Sequence, residues 1–104
     1  MKRQRESDDE SNKNDLKKHK EDENGLFVRV CGVGEVDVVR DMLEFIDASA
    51  KIEGMLEAAH YGHLDIVKVL LQNGVNVNAA DIYKKTALHK ASSNGHADVV
   101  KVLI

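Results

Sequence analysis

The 104-residue chain has no proline or tryptophan, four other aromatic residues, and one cysteine, Cys31. A single cysteine excludes an internal disulfide and is typical of a reducing compartment. No apolar run approaches the roughly 18 residues of a membrane span, and the charged N-terminus has no apolar stretch after it, which argues against a secretory signal peptide. The sequence therefore predicts an intracellular protein, cytoplasmic or nuclear, with no membrane partner.

Neither sign of charge is in large excess, because the formal net charge is −3 and both signs occur along the whole chain. Such a balance argues against nucleic acid as the main ligand. Residues 1–25 contain only Met1 and Leu16 as sizeable apolar side chains, against fifteen charged ones. A segment of this composition cannot offset its ordering entropy, so it is predicted to be a disordered charged tail.

A repeat of 33 residues is the strongest pattern present. Residues 62–71, GHLDIVKVLL, return at 95–104 as GHADVVKVLI, and the three pairs that differ are all apolar. This period is typical of a stacked solenoid, in which each unit buries its apolar face against the next. The pattern favours a binding scaffold over a catalyst.

The repeat predicts three helix-turn-helix units, at about 26–52, 53–85 and 86–104. In the third, helices are expected from Ala87 to Asn94 and from Ala97 to Ile104, with Gly95 at the turn. Gly34 aligns with Gly62 at an offset of 28, so the loop after the first unit is expected to be short and without a proper hairpin. The expected core positions are Phe27, Val30, Val39, Leu43, Met55, Ala58, Val67, Leu70, Leu88, Ala91, Val100 and Leu103.

These residues resemble the ankyrin repeat family over about residues 26–104. The family's Thr-Pro-Leu-His-x-Ala signature is present as Thr86-Ala87-Leu88-His89-Lys90-Ala91, and residues 74–81 are similar to its hairpin element. The resemblance implies an all-α repeat solenoid with a short β-hairpin-like loop between units two and three. It also implies that Thr86 caps a helix and that His89 is a structural strut.

Three departures from the family pattern carry expectations. Ala87 replaces the rigid proline of the first helical turn. Lys84 occupies the usual glycine position of the fingertip turn, where a left-handed conformation would cost lysine roughly 1 kcal/mol. The sequence given ends at Ile104, which we expect to leave Val99, Val102 and Ile104 without a following repeat. This suggests either a piece of a longer array or a protein that associates through its uncapped C-terminal end.

The resemblance implies binding of another protein through the hairpin tips and the concave face of the first helices. Tyr61 and Tyr83 are the preferred anchors, because aromatic side chains dominate many interfaces, although both could simply cover core edges. Arg29 is a further concave-face candidate. The expected binding residues are Glu57, His60, Tyr61, Asp81, Ile82, Tyr83, Lys84, Lys85, Lys90, Ser93 and Asn94.

No cofactor, metal or catalytic site is expected. His60 and His63 have i, i+3 spacing, but His63 and His96 follow turn glycines and fit the repeat, while four-ligand zinc spacing is absent. Residues 32–34 lack the third glycine of a phosphate loop, and Cys31 is expected in the core. An alternative hypothesis is a nuclear regulator whose basic clusters, at residues 2–5 and 17–20, contact nucleic acid or import factors.

Overall fold

The computed structural model describes residues 23–104, and the predicted tail lies outside them up to residue 22. The described chain is a helical solenoid, as the repeat predicted. The described part of the first helix, α1, starts at residue 23, so it includes three residues before the expected start of the first unit. A short 3-10 helix, Leu43–Phe45, follows α2. The helices are α1 (23–33), α2 (Val36–Met42), α3 (Ala48–Tyr61), α4 (Leu64–Gln72), α5 (Ala87–Ser93) and α6 (Ala97–Leu103).

The helices form two layers because each pair folds back on itself at a tight turn. Helix α3 packs against α5, and α4 packs against both α2 and α6. The first helices of the units, α1, α3 and α5, therefore make one layer and the second helices make the other. Most of these helices are shorter than the length that is stable alone in water, so their packing holds them.

The three turns between paired helices have the same backbone conformation. Gly34, Gly62 and Gly95 have φ values of 98°, 80° and 74°, in the left-handed region that glycine enters without a Cβ clash. The residues that follow, Glu35, His63 and His96, also agree, with φ between −85° and −89° and ψ between 78° and 83°. The glycines thus occupy matching corners, and the first unit is a regular repeat at its turn.

The histidines after the second and third glycines link successive units. His63 Nε2 lies 2.8 Å from the carbonyl oxygen of Gly32, and His96 Nε2 lies 3.0 Å from that of His60. Each ring also lies against the turn glycine of the preceding unit. A β-carbon added to Gly34 would stand 2.7 Å from the His63 ring, and one added to Gly62 would stand 2.6 Å from the His96 ring. The corner contact is therefore made twice with the same chemistry.

The connections between units differ. After the first unit the chain reaches α3 within two residues of the 3-10 helix, which confirms the short loop. After the second unit it forms a hairpin-like loop, closed by an isolated antiparallel bridge between Ala80 and Thr86. At Thr86 the hydroxyl accepts the His89 backbone N–H while His89 Nδ1 accepts the Thr86 N–H, which is the expected cap and strut.

Two expectations about apolar positions are wrong. Leu88 is exposed, because Ala87 and Ala91 turn the core-facing side of α5 away from it. Val99 was expected to be left exposed without a following repeat, yet it is fully buried. The reason is that Val99 and Leu103 form the inner face of α6. Val30 and Val100 are partly buried beside the core, and Ile104 is exposed. The other predicted core residues are buried: Phe27, Val39, Leu43, Met55, Ala58, Val67, Leu70, Ala91 and Leu103.

Candidate partner-binding groove and hairpin tip

The hairpin tip, residues 81–85, is organised by one carboxylate. Asp81 Oδ1 accepts hydrogen bonds from the backbone N–H groups of Tyr83 and Lys85, at 2.8 and 3.0 Å. Its second oxygen, Oδ2, lies 3.3 Å from Lys90 Nζ on α5. These contacts, the backbone bond to Lys85 first, lower the pKa of Asp81. The carboxylate therefore stays ionised at neutral pH, and its contribution is lost only as the pH falls through that lowered pKa.

The tip holds two large side chains out in solvent. Ile82 is 88% exposed and Tyr83 is 74% exposed. Lys84, which also belongs to the tip, has φ of 64°, the expected left-handed conformation, which lysine adopts at a cost of roughly 1 kcal/mol. A hydrogen-bonded turn that keeps apolar side chains exposed is preorganised for contact with another surface.

A groove of about 540 Å³ lies between the tip and the first helices of the units. It brings together four of the predicted binding residues, Glu57, Asp81, Ile82 and Lys90. The remaining lining comes from α1, from α3 and from the bridge residue. These further groove residues are Val28, Ser49, Ile52, Glu53, Leu56 and Ala80.

The groove combines an apolar wall with excess negative charge. Val28, Ile52 and Ile82 supply apolar surface. Lys90 is paired with Asp81, whereas Glu53 and Glu57 have no ion pair among residues 23–104. The groove therefore offers two uncompensated carboxylates next to apolar side chains, which suits a partner segment carrying both basic and apolar residues.

The other predicted residues lie apart from the groove. Tyr83, Lys84 and Lys85 are exposed at the tip. His60, Tyr61 and Asn94 gather at the turn end of α3 and α5, where Asn94 Nδ2 lies 3.2 Å from His60 Nδ1 and the Tyr61 ring meets that of His60 edge-on at 4.6 Å. Ser93 at the end of α5 and Arg29 on α1 are exposed. The predicted surface thus divides into a groove with its tip and a separate turn-end cluster.

Metal and thiol chemistry find no support in the described part of the chain. Residues 23–104 contain no group of three side chains able to hold a metal ion. Of the histidines considered as zinc ligands, His63 and His96 contact backbone carbonyls, and His60 lies beside the Asn94 side chain. Cys31 is fully buried, and this burial, with the nearby negative charge of Glu57, raises its pKa to about 12. Its thiol therefore stays protonated at neutral pH and is a poor nucleophile.

The groove residues of α3 that precede Met55 were not anticipated. The second unit was expected to begin at about residue 53, but α3 extends back to Ala48 and places Ser49, Ile52 and Glu53 in the groove. A signal was available, since residues 48–53 contain neither glycine nor proline and alternate alanine with helix-compatible side chains. Their direction, however, depends on the packing of α3 against α1.

Comparison with known families agrees with this architecture. The family model described as "Ankyrin repeats (many copies)" matches residues 55–104. Residues 55–104 belong to the ankyrin repeat family. The ankyrin repeat is an interaction module that binds other proteins and is not a catalytic fold. Among the described helices of this ankyrin-repeat chain, none combines the length and apolar character needed to cross a bilayer.

Several curated proteins share this segment. The probable E3 ubiquitin-protein ligase XBOS33 of Oryza sativa subsp. japonica is 36% identical over 78 residues, which is 68% of this chain and 15% of the ligase. Alpha-latrocrustotoxin-Lt1a of Latrodectus tredecimguttatus is 44% identical over 62 residues, 56% of this chain and 4% of the toxin. The ankyrin repeat-containing protein P1E11.10 of Schizosaccharomyces pombe is 43% identical over 47 residues, 45% of this chain and 23% of that protein.

The chain spans less than a quarter of the length of each of these three relatives. A ligase and a toxin have unrelated activities, and what they have in common with this chain is the repeat segment. The similarity therefore supports the scaffold and a role in protein binding.

Proposed function

We propose that this protein binds another protein through the hairpin tip and the groove, and that it performs no chemistry of its own. The observation that carries the proposal is the pair Ile82 and Tyr83, held exposed by the Asp81 turn beside the groove. Rigid, exposed apolar and aromatic side chains beside a concavity are typical of binding anchors. We place the binding unit at residues 26–104 together with residues 23–25 of α1, and we assign the charged residues before them to a separate tail.

The groove supplies the specificity of the proposed contact. A partner segment lying between α3 and the tip would bury Ile52 and Ile82 and would face the carboxylates of Glu53 and Glu57. Because opposite charge steers encounter and like charge repels, we expect partners with basic residues next to apolar ones. The turn-end cluster of His60, Tyr61 and Asn94 would extend the contact along the first helices.

The test compares the tip with an exposed apolar residue in the other helix layer. A partner captured by the full chain is purified, and its affinity is measured by calorimetry for the wild type, for Ile82→Ser/Tyr83→Ser, and for Phe45→Ser. Phe45 is 61% exposed at the end of the 3-10 helix and does not line the groove. We expect the tip variant to lose at least about tenfold in affinity, and the Phe45 variant to be unchanged.

Equal affinities for the tip variant and the wild type would overturn the proposal. Circular dichroism melting of both variants accompanies the measurement. Since both substituted sites are exposed, neither change should lower the melting temperature appreciably. The alternative function, contact of the tail with nucleic acid or import factors, concerns residues outside the described part of the chain and stays a prediction.

A further inference from the structure

The groove lies next to the point where the N-terminal segment joins the solenoid. Asn24 Nδ2 donates a hydrogen bond to Asp47 Oδ2 at 3.0 Å, which holds residue 24 of α1 beside the start of α3. Ser49, two residues after Asp47, lines the groove. On α1 the groove is lined by Val28, which lies about 7.5 Å along the helix axis from residue 23. Residue 23, from which the sequence continues toward the N-terminus, therefore lies near the groove.

The sequence just before that point complements the groove. Residues 16–20 are Leu-Lys-Lys-His-Lys, one apolar side chain beside three lysines. The groove offers apolar surface at Val28 and Ile52 and two carboxylates, Glu53 and Glu57, without an ion pair among residues 23–104. Residues 21–23 are acidic, so like charge disfavours their contact with Glu53 and Glu57.

The tether is long enough for this contact. An extended chain covers at most about 3.3–3.6 Å per residue, so Lys20 can reach about 10 Å from residue 23 and Leu16 about 25 Å. A short tether holds a segment at an effective concentration on the order of 1 mM. A contact too weak to matter between separate molecules can therefore fill the groove within one chain.

We propose that residues 16–20 occupy the groove of their own chain and compete with the protein partner. The inference rests on the proposed function, since both concern the same groove. It makes the N-terminal segment an internal competitor, which the partner must displace. The apparent affinity for a basic partner is then reduced in proportion to the fraction of molecules whose groove is filled.

The first experiment detects the contact between residues 16–20 and the groove with no partner present. Amide chemical shifts are recorded by ¹⁵N NMR for the full chain and for Lys17→Glu/Lys18→Glu/Lys20→Glu. The matched control, Lys2→Glu/Arg3→Glu/Arg5→Glu, changes the charge equally at the distal cluster. We expect the amides of Ser49, Ile52 and Glu53 to shift in the first variant and to stay in place in the control.

The second experiment adds the segment as a separate molecule. A peptide of residues 14–22 is titrated into the full-length wild type and into the Lys17/Lys18/Lys20 variant. We expect binding at the groove amides of the variant with a dissociation constant on the order of 1 mM, and apparent binding to the wild type about two- to tenfold weaker. Glu53→Gln/Glu57→Gln, introduced into the variant, should weaken the peptide about fivefold or more.

The inference would be overturned if the groove amide shifts did not change in the Lys17/Lys18/Lys20 variant. It would also be overturned if they changed equally in the Lys2/Arg3/Arg5 control. Peptide binding of equal strength to the wild type and the variant would do the same. These outcomes are separate from the proposed function. Loss of partner binding in the tip variant tests the partner interface, whereas the amide shifts test occupancy of the groove with no partner present.

Discussion

The two junctions between successive units share one contact and differ in another. At both, a histidine ring from the later unit lies against a turn glycine of the earlier one and reaches a backbone carbonyl, His63 to Gly32 and His96 to His60. The connections differ, because the first is a two-residue link that lets α3 begin at Ala48, while the second is a bridged hairpin. The shared corner fixes the stacking, and the unequal connections shape the groove.

The layer of first helices shows a second difference. Gly54 of α3 lies so close to α1 that a β-carbon there would stand 2.8 Å from both Cys31 Sγ and Phe27 Cε2. At the equivalent place in the next unit, 33 residues on, Ala87 is accommodated and fully buried. The first junction therefore leaves less space beside the α3 backbone than the second junction leaves beside the α5 backbone. A residue without a side chain is required at one junction and not at the other.

The largest effect should come from breaking the first junction alone. In Gly54→Ala the new methyl group meets two fully buried side chains that cannot move aside, so we expect the free energy of unfolding to fall by about 1–3 kcal/mol. Urea denaturation measures it. Gly25→Ala is the control, since that β-carbon meets nothing within 4 Å, and its stability should be unchanged or raised by up to about 1 kcal/mol. Equal results for the two glycines would contradict the close approach.

A smaller effect should appear equally at both junctions. His63→Ala and His96→Ala each remove a donor to an inter-unit carbonyl, so we expect each to lower the free energy of unfolding by about 1 kcal/mol. Glu35→Ala, at the equivalent exposed position of the first unit, should change it by less than about 0.5 kcal/mol. Thermal and urea unfolding provide the measurement, and a loss at one histidine with none at the other would show that the junctions are not equivalent.

The smallest effect should be confined to the second connection. Lys84 holds a left-handed conformation, so Lys84→Gly should relieve backbone strain and raise the free energy of unfolding by roughly 0.5 kcal/mol after the entropic cost of glycine. Lys85→Gly should act in the opposite direction, because Lys85 has no positive φ to relieve. Urea midpoints of the two variants are compared with the wild type, and a loss of stability in Lys84→Gly would argue against strain at the tip.

Much of the fold could be predicted because the repeat constrains neighbouring residues. Gly62 and Gly95, followed in each case by histidine and an apolar helix, fixed the turns and the second helices to within about one residue. Thr86 and His89 indicated the cap correctly. Leu88 was misplaced because an apolar residue at helical spacing can face either side of a short helix, and only packing decided that Ala87 and Ala91 face inward.

The candidate site was less predictable than the turns. The family resemblance placed Glu57 and Lys90 on the concave face and Asp81 and Ile82 at the hairpin tip, and the structure brings all four together in the groove. Ser49, Ile52 and Glu53 were missed, since their position depends on where α3 begins. Their own sequence is compatible with either a loop or a helix, and contact with α1 favours the helix.

The sequence alone determined the solenoid, its turns and the exposed tip, because those features depend on local conformation: glycine for a left-handed corner, a carboxylate for a tight turn, and apolar spacing for a helix face. The tertiary structure alone decided the groove. Its walls come from residues up to 62 positions apart, from Val28 to Lys90, and side chains that distant meet only after the units have stacked, at an angle and separation that packing sets.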